Sequence, residues 1–595
     1  MTKIKWISIL MRYSKKYYFI SGICFFTCIK FLLVSRLPAA MIIRSYHDDL
    51  LMVRMGNSIL DGDWLGPYDS NTLVKGIMHP LFLAVSNKIG FTYHHSLAVL
   101  YVVACLIFCA AVSHIVKKKG LLLLLYVVLL FNPASMNVSS FQRIYRCSLT
   151  PAQVLMVFGS FWGLYFSVCR KNKTGIGWAL FAGISLFFFW NTREDSVWIL
   201  PFVGVVTIVS LSTFIYNKVK AKDSNKWNIV AGIFALLLPI FMLKCGNLLI
   251  AYENNTHYGI FTVNELNDSN FSEVMKCLYA VKPEEDLQWV SVTREKLKRI
   301  YEISPSLCSI KEILEERMDD WDHLDRTPGD HEVENGWFFW ALRDAVQRAG
   351  YYKSAKSAND FYGNVADEIK SALDYGTLES QITMPSALMP PWKANYIKEY
   401  LHAIKDSILF LFQFLDTEAQ YWVSEVKNRE DYEIYQEFQR LTGSPISINV
   451  HADIKNEQGS EVFEEDVYSL DYEKRVARVN RIVGLYQKFN RILGIAAGLF
   501  YLHLLVLVLR SIRSDRWIWD QFLILSSLMA SLLVLVIGVS YNHTFSCSSI
   551  HSLYYSGAYS LILAYEGLAF CFESAVAAQF MYTRKMKDGD NPWIS

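Results

Sequence analysis

Apolar residues gather in ten blocks, near residues 17–36, 96–115, 120–132, 150–169, 175–191, 196–216, 228–250, 489–510, 517–540 and 552–574. Runs of about 20 apolar residues match the hydrocarbon thickness of a bilayer, so the pattern predicts an α-helical polytopic membrane protein with about ten transmembrane helices. The third block is short and extends toward Ser135. Lys117–Lys119, Arg170–Lys173, Lys218–Lys226, Arg510–Arg516 and Arg584-Lys585 all fall on the side of the basic N-terminus. Cytoplasmic loops carry the excess of Lys and Arg, so both termini are expected in the cytoplasm. No small-residue cleavage site follows the first block, which reads as a retained helix rather than a removed signal peptide.

Two long polar stretches are then expected outside. The chain divides into a transmembrane module over 1–250 with a first outer loop at 37–95, a mostly helical extracytoplasmic domain over 251–488, and a three-helix transmembrane segment over 489–595. In the first loop, apolar positions from Asp49 to Leu60 recur at helical spacing and predict a surface helix lying on the membrane. Gly62, Gly66 and Pro67 end it. Pro80–Val85 predicts a short helix behind His79. In the outer domain, Trp337–Val346 and Val365–Leu373 are the clearest helices, and Ile404–Leu415 is apolar but too short to span, hence an interfacial or core helix.

The 595 residues are 52% hydrophobic and 15% aromatic, and the net charge of +2 carries no nucleic-acid signature. Eleven cysteines form no CxxC pair; a Cys277–Cys308 bridge stays open.

Four segments carry candidate chemistry. Asp48 and Asp49 follow the first span at the outer surface. Such carboxylates can take a proton from a sugar hydroxyl or hold a divalent cation, and one of them can cap the following helix. Arg193, Glu194 and Asp195 lie in the short turn between blocks five and six. The Arg193 fork suits a phosphate or carboxylate, Glu194 and Asp195 can bind a metal or act as a second acid, and a local ion pair is the plainer role. Arg143 and Arg146, three apart, can share a helix face toward an anionic lipid group. Lys75 can neutralise a phosphate, His79 can do so or ligate a metal, and Gly76 between them permits close backbone approach. Lys30, Lys244, Asp520, Glu566 and Glu573 are charges within or near the spans; several can snorkel to an interface, and Glu566 has no evident place.

With its acidic motif after one span, long helical outer loop, further spans and outer domain, the chain resembles the GT-C superfamily of membrane glycosyltransferases, within an uncharacterised bacterial branch. The resemblance covers about the first 250 residues, where seven spans match the shared module. It implies an inverting glycosyltransferase, hexosyl- or pentosyl-, that moves a sugar from a polyprenyl-phosphate donor to an extracytoplasmic glycan, lipid or protein of the cell envelope. Asp48 or Asp49 would be the base, and Lys75, Arg143, Arg146 and Arg193 would hold the lipid phosphate. Many relatives carry a second acidic motif between spans three and four, but residues 132–150 contain no carboxylate. Either Glu194-Asp195 substitutes in binding Mg or Mn, or the enzyme is metal-independent. The competing readings are a transporter or flippase of lipid-linked sugars, for which Glu566, Gly538 and Ser540 are the places to look, and a non-catalytic assembly protein using Trp337–Trp340.

Overall fold

A computed structural model describes residues 2–170, 175–221, 225–322, 331–384, 386–450, 469–510 and 516–587. Lys171 and Lys173 of one predicted basic loop lie outside these residues, as do 222–224 and 511–515 of two others. Among the described residues, eight helices are long and apolar enough to cross a bilayer, and the chain is an α-helical multi-span membrane protein. The two other predicted positions are also helical but shorter or broken. Ile176–Trp190 has 15 residues, and Lys119–Leu130 meets Pro133–Gln142 at a 61° bend.

The bend has a local cause. Pro133 has no amide hydrogen to continue the helix, and the Asn132 side chain instead accepts from the Ala134 amide at 3.0 Å. The buried Lys30 then ties the bent segment to the first span, donating to the Ser135 carbonyl at 3.0 Å and its hydroxyl at 2.7 Å. At the centre of the bundle, every residue of Thr150–Tyr165 is buried. Gly159 lets this helix close on the next, since a side-chain carbon there would sit 2.9 Å from the Phe108 Cα.

Two helices run through the expected limits at 250 and 488. Lys226–Tyr258 continues past Ala251, and Ser469–Arg510 is one helix of 42 residues that begins well before Lys488. The long polar stretch between them holds two separately cored units. Residues 266–387 build their own apolar core around Leu278, Leu297, Phe338, Leu342 and Ile369, with Val74 as its contribution from the first loop. Leu411, Phe414, Ile434, Phe438 and Leu441 belong instead to the core of the bundle.

This second unit corrects one expectation and bears on another. The first-loop helix, Asp49–Asp61, does not lie free on a membrane surface. Helix Arg429–Thr442 covers it, with Arg54 bonded to Glu437 at 3.3 Å and Gly56 against Leu441. Ile397–Phe412 packs along the span Arg516–Phe545, where Ser407 meets Ser540 at 3.0 Å, while Leu401 and Leu409 stay exposed. A two-stranded parallel sheet, Val423–Val426 with Ser447–Val450, closes the unit. Gly62 ends the first-loop helix in the left-handed region, at φ 88°. Cys277 and Cys308 are both free thiols, one buried and one exposed.

Candidate functional site

Asp48 occupies the N-cap position of the first-loop helix, yet its side chain makes no cap bond. Its Oδ1 instead accepts from Lys75 Nζ at 2.6 Å and from the Tyr145 hydroxyl at 2.7 Å. The carboxylate is therefore withdrawn from its helix and handed to two other parts of the chain. Despite burial, Lys75 and Arg143 hold it well below the usual carboxylate range.

Asp49 has the opposite fate. It is completely buried, and Arg143 grips it with Nε at 2.9 Å from Oδ1 and Nη2 at 2.5 Å from Oδ2. Burial pushes this carboxyl upward, against the pull of Arg143. Asp48 keeps 36% of its side chain exposed, so it alone of the pair can meet a substrate.

Tyr145 is the hub, and its place between two arginines was its one sequence signal. Its hydroxyl donates to Asp48 and accepts from Lys75 at 3.1 Å and from Arg146 Nε at 3.0 Å. The guanidiniums of Arg143 and Arg146 lie over its ring, 4.7 and 5.4 Å from the centroid. The two arginines do not share a helix face, because the backbone at Arg143 is extended. They converge through Tyr145 instead.

The turn after Trp190 joins the same cluster. Arg146 pairs with Glu194, whose other oxygen accepts the Gly76 amide at 2.7 Å. Gly76 does admit a close backbone, but that of Asn191 and Thr192, which a side-chain carbon would overlap. Arg193 pairs with Asp195 and donates to Cys147 Sγ at 2.7 Å, so all three of its nitrogens are engaged. Arg143 Nη1 and Arg146 Nη2, by contrast, make no hydrogen bond among the described residues.

Lys75 is buried between aromatic rings, 5.5 Å from the Tyr145 centroid and 5.4 Å from that of Trp340. Burial lowers its affinity for the proton, as does Arg146. Trp340 belongs to the core of the 266–387 unit, so that unit roofs the cluster with a residue that also packs inside it. His79 stands apart. It is fully buried edge-on to Tyr93, with no partner on either ring nitrogen among the described residues, and burial drives it down to about 3.

Charge in the cluster balances pair by pair: Lys75 with Asp48, Arg143 with Asp49, Arg146 with Glu194, Arg193 with Asp195. Glu194 and Asp195 are thus already occupied. Among the described residues no three His, Cys, Asp or Glu side chains gather into a ligand cluster. Two hollows flank Arg193, one walled by Gln153, Trp198 and Tyr554 and the other by Gly76, Asn191 and Asn264; Asp48 lines neither.

No protein-family model and no curated protein matches the chain. Among solved structures it is similar to the archaeal oligosaccharyltransferase AglB from Archaeoglobus fulgidus, in complex with an inhibitory peptide and a dolichol-phosphate. That likeness has 12% identity and a TM-score of 0.39, covering 98% of this chain and 53% of that one. It is also similar to the Archaeoglobus fulgidus oligosaccharyltransferase in the apo form, at 11% identity and a TM-score of 0.27, covering 78% of this chain and 69% of that one. The chain spans about half the length of the first. Superpositions this shallow transfer no chemistry, and the cluster has to be understood from its own residues.

Proposed function

We propose that the protein transfers a sugar from a polyprenyl-phosphate carrier to an acceptor hydroxyl, with inversion, on the extracytoplasmic face of the cell membrane. One observation carries the reading. Asp48, a carboxylate whose side chain is a third exposed, stands beside two guanidiniums that keep unused donors, over one tyrosine ring, at the loop face of a membrane bundle. An oxygen that accepts a hydrogen bond from the attacking hydroxyl, next to spare cationic donors for the departing phosphate, suits such a transfer.

In this reading the acceptor hydroxyl hydrogen-bonds to Asp48, attacks the anomeric carbon and gives up its proton to a base beside that carboxylate. The bond from that carbon to the phosphate oxygen breaks, and its electron pair leaves with the phosphate. Lys75, Arg143 Nη1 and Arg146 Nη2 meet the growing negative charge. Asp49 and Asp195 act by holding Arg143 and Arg193, and Glu194 by holding Arg146 and the Gly76 backbone. The acceptor is a glycan, lipid or protein of the cell envelope, and no step calls on a metal.

The test uses purified protein in vesicles with a labelled polyprenyl-phosphate hexose. Asp48→Asn, folded as judged by its thermal transition, should lose transfer by about 10²–10⁴-fold. Full transfer by Asp48→Asn overturns the reading. Scrambling of the labelled lipid without covalent transfer selects a flippase instead.

A further inference from the structure

Asp48 is an odd resting place for the acceptor's proton. Lys75 and Tyr145 already fill its Oδ1, and Arg143 lies 3.7 Å from Oδ2. A carboxylate stabilised by so many donors orients a hydroxyl well and binds its proton poorly. The preceding residue has the complementary properties.

The His47 ring is clamped by its surroundings. It stacks on Trp340 with centroids 4.4 Å apart and planes 25° from parallel, and it lies 5.5 Å from Trp321. Its Nδ1 is 2.7 Å from Asn71 Oδ1. An amide oxygen can only accept, so Nδ1 carries the hydrogen and Nε2 carries the lone pair. The Asn71 backbone is itself held, its N–H donating to Asp69 Oδ1 at 2.8 Å. Nε2 makes no hydrogen bond among the described residues, and the ring is only half-buried. The same indole that holds His47 lies against Lys75, the lysine bonded to Asp48. The charged groups near the ring are Lys75, Asp48 and Asp344, and burial is the main influence keeping the imidazole neutral.

We infer that His47 is a catalytic base of the transfer, its Nε2 taking the proton that the acceptor hydroxyl loses while Asp48 orients that hydroxyl. This assignment rests on the transferase reading and gives the proton a destination. The acceptor oxygen bonds to the anomeric carbon, the phosphate departs with the electron pair of the broken bond, and the acceptor hydrogen moves as a proton to Nε2. The resulting imidazolium, next to Asp48, releases that proton to water. The roof is then part of the reaction, because the 266–387 unit supplies the ring that aims the base.

The experiment uses full-length protein in detergent and follows release of free polyprenyl phosphate from a labelled polyprenyl-phosphate hexose. His47→Phe keeps an aromatic ring on Trp340 and removes the nitrogen; His47→Gly leaves a space for free imidazole. Both should lower kcat by about 10²–10³-fold with donor KM within about threefold, and added imidazole should restore the glycine variant but not the phenylalanine one. Wild-type rates in His47→Phe overturn the assignment while leaving the transferase reading intact. So does a loss in both variants that imidazole cannot restore, which marks the ring as packing. If the wild type releases nothing from hexosyl or pentosyl donors, the transferase reading falls and the base falls with it.

Discussion

Two clusters of Asp, Arg and Tyr stand at opposite ends of the bundle. At one end Arg170 grips Asp520 at 2.8 and 2.5 Å, and the Tyr165 hydroxyl donates to Asp520 at 2.8 Å while accepting from Arg170 at 2.7 Å. At the other, Asp48 and Asp49 meet Tyr145, Lys75 and Arg143. The residue types match; the construction differs. Arg170 and Tyr165 lie five apart, and the triangle closes on one residue of the span Arg516–Phe545 with Asp520 almost covered. The loop-face cluster draws on four separate segments, keeps the Asp48 and Asp195 carboxylates partly exposed, and leaves two guanidinium nitrogens unused. A closed triangle ties two helices together. An open one, assembled from parts distant in sequence, has capacity left for a substrate.

Asp49 gives the sharpest test of that contrast. Asp49→Asn leaves Arg143 buried without its counter-charge, and should lower the free energy of unfolding by about 3–5 kcal/mol. Asp48→Asn, one residue away, also takes the counter-charge from buried Lys75, but at a site a third exposed, so it should destabilise by less while abolishing transfer. Equal destabilisation by the two would erase the distinction between holding and reacting. Next in size is Asp520→Asn, which weakens the closed triangle by about 1–3 kcal/mol. Transfer measured below its melting temperature should stay at the wild-type rate. A loss as deep as that of Asp48→Asn would mean that the triangle at the far end also serves the chemistry.

How much of this could be foreseen varies with the range of the interaction. Hydropathy alone marks all ten helical blocks, because bilayer thickness acts on local composition. It does not foresee that helices run through the limits at 250 and 488: composition changes there, whereas Lys226–Tyr258 and Ser469–Arg510 stay helical. The N-cap position of Asp48 follows from local pattern, but its missing cap bond depends on Lys75, 27 residues on. The Arg143 pattern suggests a helix face, and the extended backbone there instead pairs with Ala40. Trp340 is a core aromatic, and nothing nearby in the chain announces that its ring also meets Lys75 and His47. What escapes is the meeting of loops.

His79 supplies the smallest effect and a control for His47. Its ring is sealed and uncharged, with burial driving it down to about 3. In the unfolded chain it titrates near its ordinary value of about 6.5, so below that pH the unfolded state binds a proton that the folded state refuses. Stability contributed by neutral His79 is therefore whole above about pH 6.5 and declines as pH falls toward the folded value. Asp48 adds nothing to this slope, since both its folded and unfolded states are ionised down to about pH 4. His551, also driven down to about 4 by burial, adds a similar slope that remains when His79 is replaced. Thermal unfolding of His79→Phe in detergent should thus show a loss between pH 7 and pH 5 that is smaller than that of wild type, by at most about 2 kcal/mol. Its transfer rate should stay unchanged, because His79 makes no hydrogen bond to any member of the cluster among the described residues. An unchanged slope would mean that the His79 proton is not excluded by folding. A collapse of transfer would place His79 inside the reacting group and move the boundary between the sealed and open halves of the cluster.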